Sequence, residues 1–533
     1  MKKFSSYGPV DKDIHFYSPR KQLINKTYDQ LIGDNPLKGG SYITVWAPRQ
    51  SGKTWVMQQV LSEIKKNNEF ECGIITLQSA KNETTDEGIL SIFTQKLSDW
   101  FDKDFPEIAT WKEFSKLFTK KFFSRPLILI IDEFDALQED FINKFANQFR
   151  DMYLSRQNEE SKQSQNKKCL LHGLALVGVR SVLGIENVTG SPFNIQRSVH
   201  IPNLSFKEVD TIFKWYEKDS GQKIEQNVID KIYYEFRGQP GLTCWFGELI
   251  TEGNHDFVVN PQTSISMDIF NEAYLAAISI LPNNNILNII SKAKQKPYVE
   301  MVLELFKTDH KIDFTYDDSN LNFLYMNGVI DKEKVNKKVY YVKFTCPFIQ
   351  KRLFNFFSRE FFSYMGKLVE PFENTSELVA NNHINIQKLI KRYEKYLKKN
   401  RQWLLKNAPK RKDLRIFEAV YHFNLFMYLY KFLSPKNAEI YPEFPTGNGK
   451  IDIIINYGNC SYGIELKSFS DESSYHEALK KASNYGIQLG LKEITIVFFI
   501  EYIDDANREK YQTEYYDNKN NVKVLPIFVE TGN

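Results

Sequence analysis

Ala47-Pro48-Arg49-Gln50-Ser51-Gly52-Lys53-Thr54 is the stretch on which the reading of the fold turns. It follows a short apolar run, Tyr42 to Trp46, and opens a helical stretch, Trp55 to Lys66. A loop ending in Gly-Lys-Thr at such a strand-to-helix junction is the setting in which a backbone cradles phosphates. Its N–H groups and the helix N-terminus offer partial positive charge to the β- and γ-phosphates of ATP. Lys53 is then expected to contact the β/γ oxygens, and the Thr54 hydroxyl to coordinate Mg²⁺. Ala47 stands where glycine is usual, a tolerable change because a methyl group is small. Gly52 is present where the backbone must approach the phosphates most closely.

A second motif falls where the first requires it. Leu127-Ile128-Leu129-Ile130-Ile131-Asp132-Glu133 is an apolar strand with two carboxylates at its end. Asp132 suits the magnesium side of the site, and Glu133 suits the base that polarises an attacking water. Between residues 40 and 205, short apolar runs (Tyr42 to Trp46, Cys72 to Leu77, Leu127 to Ile131, Leu174 to Val179) alternate with helical stretches. Near-continuous apolar strands in that alternation predict a parallel sheet covered on both faces.

The 533 residues exceed the roughly 250 to 300 at which one core stops growing, so several domains are expected. Hydrophobic residues are 42% and charged residues 26%, an ordinary globular mixture that excludes a disordered or fibrous chain. A formal charge of +4 is too small to identify a nucleic-acid partner by itself. Five scattered cysteines (Cys72, Cys169, Cys244, Cys346, Cys460) fit neither a zinc site nor a disulfide framework. No apolar h-region follows Met1-Lys2-Lys3, and no apolar run approaches the roughly 18 residues a membrane span needs. A cytoplasmic protein with no membrane partner is expected. The polar segment 156–168 reads as a surface loop, and Ser205 with Glu208 three residues on reads as a capping box opening a helical lid.

Tyr17-Ser18-Pro19-Arg20, the loop Pro48 to Thr54, Asp132-Glu133, Ser191-Pro192-Phe193-Asn194-Ile195 and Gly238-Gln239-Pro240 together resemble bacterial AAA-like ATPases of the broad AAA+/STAND group. The resemblance covers roughly residues 10 to 350. It implies an ATPase core, a helical lid, a winged helix and an effector controlled by nucleotide state. In that setting Arg180, at the end of the Leu174 to Val179 strand, either senses the γ-phosphate or is simply an exposed arginine. Pro240, in Arg237-Gly238-Gln239-Pro240-Gly241, either approaches the nucleotide base or makes a turn. Phe323 to Ile330 followed by Tyr340 to Phe344 has the helix-then-hairpin order of a winged helix.

A second constellation lies near the C-terminus. Lys450-Ile451-Asp452-Ile453-Ile454-Ile455 is an apolar strand holding one acid, and after Tyr457-Gly458-Asn459 the strand Ser461 to Lys467 follows. Side chains alternate along a strand, so Glu465 and Lys467 share a face about 7 Å apart. Hairpin pairing would bring Asp452 alongside. An unpaired carboxylate in an apolar strand is costly, and a dication between Asp452 and Glu465 would remove that cost. Such oxygen ligands suit Mg²⁺ or Mn²⁺. A structural ion pair of either acid with Lys467 is the alternative. Asp452, twelve intervening residues, and Glu465-Leu466-Lys467 resemble the PD-(D/E)XK nuclease superfamily over roughly residues 414 to 500. The resemblance makes Glu418 the helical acid that helps hold metal, and makes Asp452, Glu465 and Lys467 catalytic. Lys481 stands where the Gln-x-x-x-Tyr element of such domains has glutamine, with Tyr485 following.

Residues 388 to 415 carry twelve Lys or Arg against Glu394 and Asp413, a net of +10, interleaved with Tyr393, Tyr396 and Trp403. A phosphate backbone would suit this stretch, as would a solvated helix face. The expected organisation is thus an α/β multidomain chain: a P-loop core at 1–204, helical lid at 205–264, winged helix at 265–365, basic helical connector at 366–413, and nuclease-like α/β domain at 414–533. The expected activity is ATP hydrolysis gating metal-dependent cleavage of nucleic acid. DNA is the first choice over RNA, homo-oligomerisation is open, and a defence role against phage or foreign DNA follows by resemblance. The rival expectation is a nucleotide switch or scaffold that binds nucleic acid or protein without cutting.

Overall fold

The computed structural model describes residues 2–178, 197–253, 260, 262–306, 311–336, 339–380, 382–443 and 452–532, with Asp452 described by its backbone alone. The chain divides into two compact units: Met1–Leu275 with Tyr316–Gly328, and Ala276–Thr315 with Val329–Asn533.

The first unit is built on a parallel five-stranded sheet. Its strands are β1 (Tyr42–Trp46), β2 (Glu71–Thr76), β3 (Leu127–Asp132), β4 (Leu171–Gly178) and β5 (Arg197–His200), in the order β2-β3-β4-β1-β5. Every residue of β1, β3 and β4 is buried. The pleat sends alternate residues to opposite faces. Leu127, Leu129 and Ile131 meet Phe93, Phe114, Phe145 and Phe149 on one side. Ile128 and Ile130 join Ile43, Val45, Val56, Met57 and Ile64 on the other. Both faces are therefore dry, which is why these strands read as continuous apolar runs.

Helix α1 (Lys53–Lys65) leaves the loop after β1. Three helices follow the sheet, α2 (Phe206–Ser220), α3 (Gln226–Phe236) and α4 (Pro240–Glu252). Ser205 caps α2 as its spacing predicts. Its hydroxyl accepts from the Glu208 N–H at 3.3 Å, and Glu208 Oε2 accepts from the Ser205 N–H at 2.8 Å. Helix α5 (Ser319–Met326) also belongs to this unit, with Tyr325 against Trp46 and His200.

In the second unit the hairpin β6 (Ile330–Lys334) and β7 (Tyr340–Phe344) is followed by α6 (Pro347–Phe362), α7 (Ile386–Leu404) and α8 (Glu418–Leu433). A mixed sheet follows. Its strands are β8 (Glu439–Glu443), β9 (Asp452–Tyr457), β10 (Cys460–Ser468), β11 (Glu493–Ile500), β12 (Tyr515–Asp517) and β13 (Val522–Glu530), in the order β8-β9-β10-β11-β13-β12. β8, β9 and β10 pair antiparallel, whereas β10, β11 and β13 run parallel. Helix α9 (Glu472–Gln488) buries Tyr475, Leu479, Ala482 and Tyr485 on Ile494, Ile496 and Phe528.

Helix α7 corrects one expectation. Tyr393 and Tyr396, interleaved with the basic residues of the stretch expected to suit a phosphate backbone, are core residues. Tyr393 Oη donates to Asn424 Oδ1 at 2.9 Å, and Tyr396 Oη donates to the Met365 carbonyl. They fall with Ile386, Leu389, Ile390 and Leu397 on one apolar stripe at helical spacing, so the ordinary rule for an amphipathic helix accounts for them. Trp403 alone of the three stays substantially exposed.

Among the described residues, no single helix is long and apolar enough to cross a membrane. The pair Met267–Ser279 and Asn284–Ala293 has the composition but bends by 46°, and Phe270, Ala273 and Ala277 on it are buried in the protein.

Candidate functional site

The loop after β1 turns on two left-handed residues, Gln50 at φ 55° and Gly52 at φ 82°. Space does not require a glycine at 52, since a Cβ there would meet nothing within 4 Å; the backbone conformation does. Lys53 begins α1 with its ammonium turned back onto the loop, 2.9 Å from the Ala47 carbonyl and 3.0 Å from that of Pro48. Burial pushes the Lys53 ammonium below the ordinary lysine value, against the pull of Asp135, Glu133 and Asp132. Thr54 Oγ1 donates to Asp132 Oδ2 at 2.7 Å, joining the helix start to the end of β3. Asp132 Oδ1 accepts from the Glu133 N–H at 2.9 Å.

Glu133 takes a left-handed conformation, φ 52°, just past the strand. Burial, with Asp132 and Asp135 adding their charge, lifts its carboxyl above the usual carboxylate range. That is the direction a proton acceptor working near neutrality needs. Ser51 Oγ is buried and has no hydrogen-bond partner among the described residues. A buried hydroxyl left without a partner costs about 1–3 kcal/mol, which a phosphate oxygen would offset. The loop thus fits a nucleotide triphosphate.

A family model described as an AAA-like domain matches residues 5–249. Those residues include the parallel five-stranded sheet and the loop Ala47 to Thr54. Solved structures similar to the chain include the Walker-type ATPase PABY2304 of Pyrococcus abyssi, at 14% identity and TM-score 0.41, covering 66% of this chain and 99% of that one. The Aeropyrum pernix ORC1 protein in complex with DNA is 13% identical at TM-score 0.32, over 63% of this chain and 92% of that one. The Thermotoga maritima RuvB Holliday junction branch migration motor is 13% identical at TM-score 0.32, over 61% and 92%. No curated protein sequence matches the chain.

Within residues 5–249, Asp135 was missed by the sequence reading. It sits on the short turn Phe134–Ala136 and is the largest electrostatic influence on Lys53. Gly178, closing β4, leaves it room: a Cβ there would lie 2.6 Å from Asp135 Oδ1. The signal was a third acid three residues after Asp132. Gln239 was missed as well. Its Nε2 donates to the Arg49 carbonyl at 3.1 Å and its Oε1 accepts from the Leu242 N–H at 2.5 Å, so one side chain both caps α4 and holds the loop. Pro240 is the first residue of α4, whose next N–H, that of Gly241, donates to the Gln50 carbonyl at 3.0 Å. Arg49 is exposed. Arg180 and the stretch Ser191 to Ile195 lie outside the described residues. Arg20, from the Tyr17 to Arg20 block, ion-pairs with Glu208 at 3.3 Å and ties that block to the start of α2.

The second unit holds the other constellation. Asp452 opens β9 directly opposite Glu465 on β10. Glu465 is fully buried, and Lys467, its side chain 5% exposed, places Nζ 3.8 Å from Glu465 Oε1. Glu418 is half-buried at the first position of α8. One turn further along α8, His422 is buried with neither ring nitrogen hydrogen-bonded among the described residues. Burial pushes its imidazole down to about 3, with the Lys467 charge adding to the effect. Lys481, in place of the usual glutamine, ion-pairs with Glu477 on its own helix. Tyr485 is buried. Among the described residues, no three His, Cys, Asp or Glu side chains stand close enough to hold a metal ion, so a metal here would depend on Asp452. The donor set, carboxylates with a lysine beside them, has the chemistry for a hard dication.

Proposed function

We propose that the chain binds and hydrolyses ATP and that its nucleotide state gates a metal-dependent phosphodiesterase site acting on DNA. On the ATP side, the N–H groups of Arg49, Gln50, Ser51 and Gly52 and the ammonium of Lys53 bind the β- and γ-phosphates. Thr54 and Asp132 would hold Mg²⁺, which supplies charge neutralisation at the phosphate oxygens. Glu133 orients the attacking water and takes its proton.

The observation that carries the nuclease half is the register of one hairpin: Asp452 faces Glu465, and Lys467 follows two residues on, with Glu465 and Lys467 both buried. Asp452 and Glu465, with Glu418 as a further acid, would hold Mg²⁺ or Mn²⁺, which supplies an acidified water and positive charge at the scissile phosphate. Lys467 orients that phosphate and balances charge developing on it. Defence against phage or foreign DNA is the role this reading suggests.

A different observation favours a second reading. Glu465 and Lys467 are 3.8 Å apart, and Lys481 is engaged with Glu477. A nucleotide switch whose C-terminal unit binds without cutting needs nothing more than that pair. Purified protein is incubated with plasmid, linear and single-stranded DNA, with and without ATP and Mn²⁺, beside Asp452→Ala. Cleavage by the wild type that Asp452→Ala abolishes, without loss of its thermal melt, supports the nuclease. Wild-type protein that cuts no substrate under any combination favours the switch.

A further inference from the structure

The acids of the hairpin have a neighbour outside the Asp452 to Lys467 pattern. Glu443 ends β8 directly opposite Asp452, which in turn faces Glu465. Directly opposed positions on successive antiparallel strands lie in one row about 4.5–5.5 Å apart, so Glu443 and Glu465 share a face of the sheet. Each end of this row of three acids meets a buried lysine. Lys467 lies 3.8 Å from Glu465, and Lys351, from α6, lies 2.9 Å from Glu443 Oε2 with its side chain 1% exposed and that of Glu443 14%. A buried ammonium is tolerated only when paired, so Lys351 and Glu443 hold each other in place.

With Glu418, four carboxylates stand against two ammonium groups and leave two negative charges. A single dication satisfies such a set; a second would leave it strongly positive. We propose that Glu443 and Lys351 belong to the metal site, Glu443 as a carboxylate additional to Asp452, Glu465 and Glu418, and Lys351 as a positioning residue whose charge limits the site to one dication. The inference rests on the metal-dependent reading of Asp452 and Glu465 given above, and it extends that site to a helix the nuclease-like pattern does not contain. Lys351 acts through Glu443 and touches neither substrate nor metal.

The experiment is Mn²⁺ titration of the metal-stripped full chain by calorimetry and electron paramagnetic resonance, with thermal melts at zero and saturating Mn²⁺. The variants are Lys351→Met, Lys351→Arg, Glu443→Gln, the double variant Lys351→Met with Glu443→Gln, and Asp452→Ala as the control. The wild type is expected to bind one Mn²⁺. Lys351→Met should bind Mn²⁺ at least about tenfold more tightly or take up a second ion, because a unit charge several ångströms from a dication has been removed at an effective dielectric near 20. Its melting temperature should fall without Mn²⁺ and recover with it. Glu443→Gln should weaken Mn²⁺ binding by about 10- to 100-fold, the usual weight of a group beside the metal, and Lys351→Arg should behave as the wild type. The double variant, which buries no charge at this point, keeps the test open if Lys351→Met does not fold; it should bind Mn²⁺ at least about tenfold more tightly than Glu443→Gln, because the same unit charge has been removed. If the wild type binds Mn²⁺ and Asp452→Ala does not, while the Lys351 and Glu443 variants keep wild-type affinity and stoichiometry, Lys351–Glu443 is a structural strut and the inference is overturned alone. Wild-type protein that binds no Mn²⁺ overturns the metal reading and this inference together.

Discussion

Lys53 and Glu133 divide the work of the nucleotide site in a way that separate variants can expose. Lys53 is the buried cation among three acids, so Lys53→Ala leaves phosphate charge unmatched and is expected to abolish ATP binding measured by fluorescence or calorimetry. Glu133 has a raised carboxyl and a backbone held in the left-handed region beside Asp132. Glu133→Gln should therefore bind ATP as the wild type does and hydrolyse it about 10² to 10⁴ times more slowly. Wild-type turnover in Glu133→Gln would remove the role assigned to it. At this scale, legibility followed sequence distance. The loop residues Ala47 to Thr54 are contiguous, so their pattern could be read directly. Gln239 reaches the loop from a position 189 residues away from Gln50, and nothing in Gly238-Gln239-Pro240 beyond a turn signal announces that contact. Asp135 could have been noticed beside Asp132 and Glu133, but the lack of side-chain volume at Gly178 that leaves it room belongs to another strand.

Helix α7 and its continuation show how an element can carry a charge pattern for two different reasons. Several of its cations are engaged: Arg392 with Glu373 at 2.7 Å, Lys399 with Glu370 at 2.8 Å, and Lys398 with Glu530. The Arg392 contact holds the Glu373 carboxyl down to about 2. Arg411 meets Glu304 at 3.5 Å. Lys391, Lys395, Lys406, Lys410 and Lys412 are exposed and make no ion pair among the described residues. The acids that engage the others, such as Glu373 and Glu530, lie outside the 388–415 window, which is why a local count of +10 overstated the free charge. If this element meets a phosphate backbone, the five unpaired lysines are the ones that do so. Replacing all five with glutamine is expected to weaken DNA binding equally for every sequence and to flatten the slope of log K against log salt by about one unit for each phosphate no longer neutralised. Replacing Arg392 and Lys399 should instead lower the melting temperature and leave that slope nearly unchanged. A salt slope unaltered by the five-lysine variant would make the helix a solvated face.

Over the whole molecule, the alternation of apolar strands and helices made the first sheet legible, because strands buried on both faces leave continuous apolar runs. The hairpin of Asp452 and Glu465 was legible from alternation and one turn, but the row continues to Glu443 through a pairing of β8 and β9 that no turn motif announces. The helix-then-hairpin order after residue 319 was legible too, yet Tyr316–Gly328 belongs to the first compact unit and Val329 onward to the second. Sequence order records succession along the chain and not which core a helix joins: Tyr325 goes to Trp46 and His200, whereas Val329 is hydrogen-bonded by the Thr345 N–H. Gating between two such units is a claim about free energy, and it has a reciprocal consequence. If ATP changes the affinity for DNA by some factor, DNA must change the affinity for ATP by the same factor. Glu133→Gln allows both to be measured without turnover, and Asp452→Ala prevents cleavage from depleting the DNA. In the double variant, the ratio of DNA dissociation constants with and without saturating ATP is expected to equal the ratio of ATP dissociation constants with and without saturating DNA, with both in the range of about 5- to 150-fold. Ratios that agree at unity would show that the two units bind independently, and gating of DNA binding by nucleotide would be withdrawn. A single-unit control separates that outcome from a damaged site: Asp452→Ala alone should hydrolyse ATP at the wild-type basal rate, since Asp452 lies in the second unit and Thr54, Asp132 and Glu133 all lie in the first.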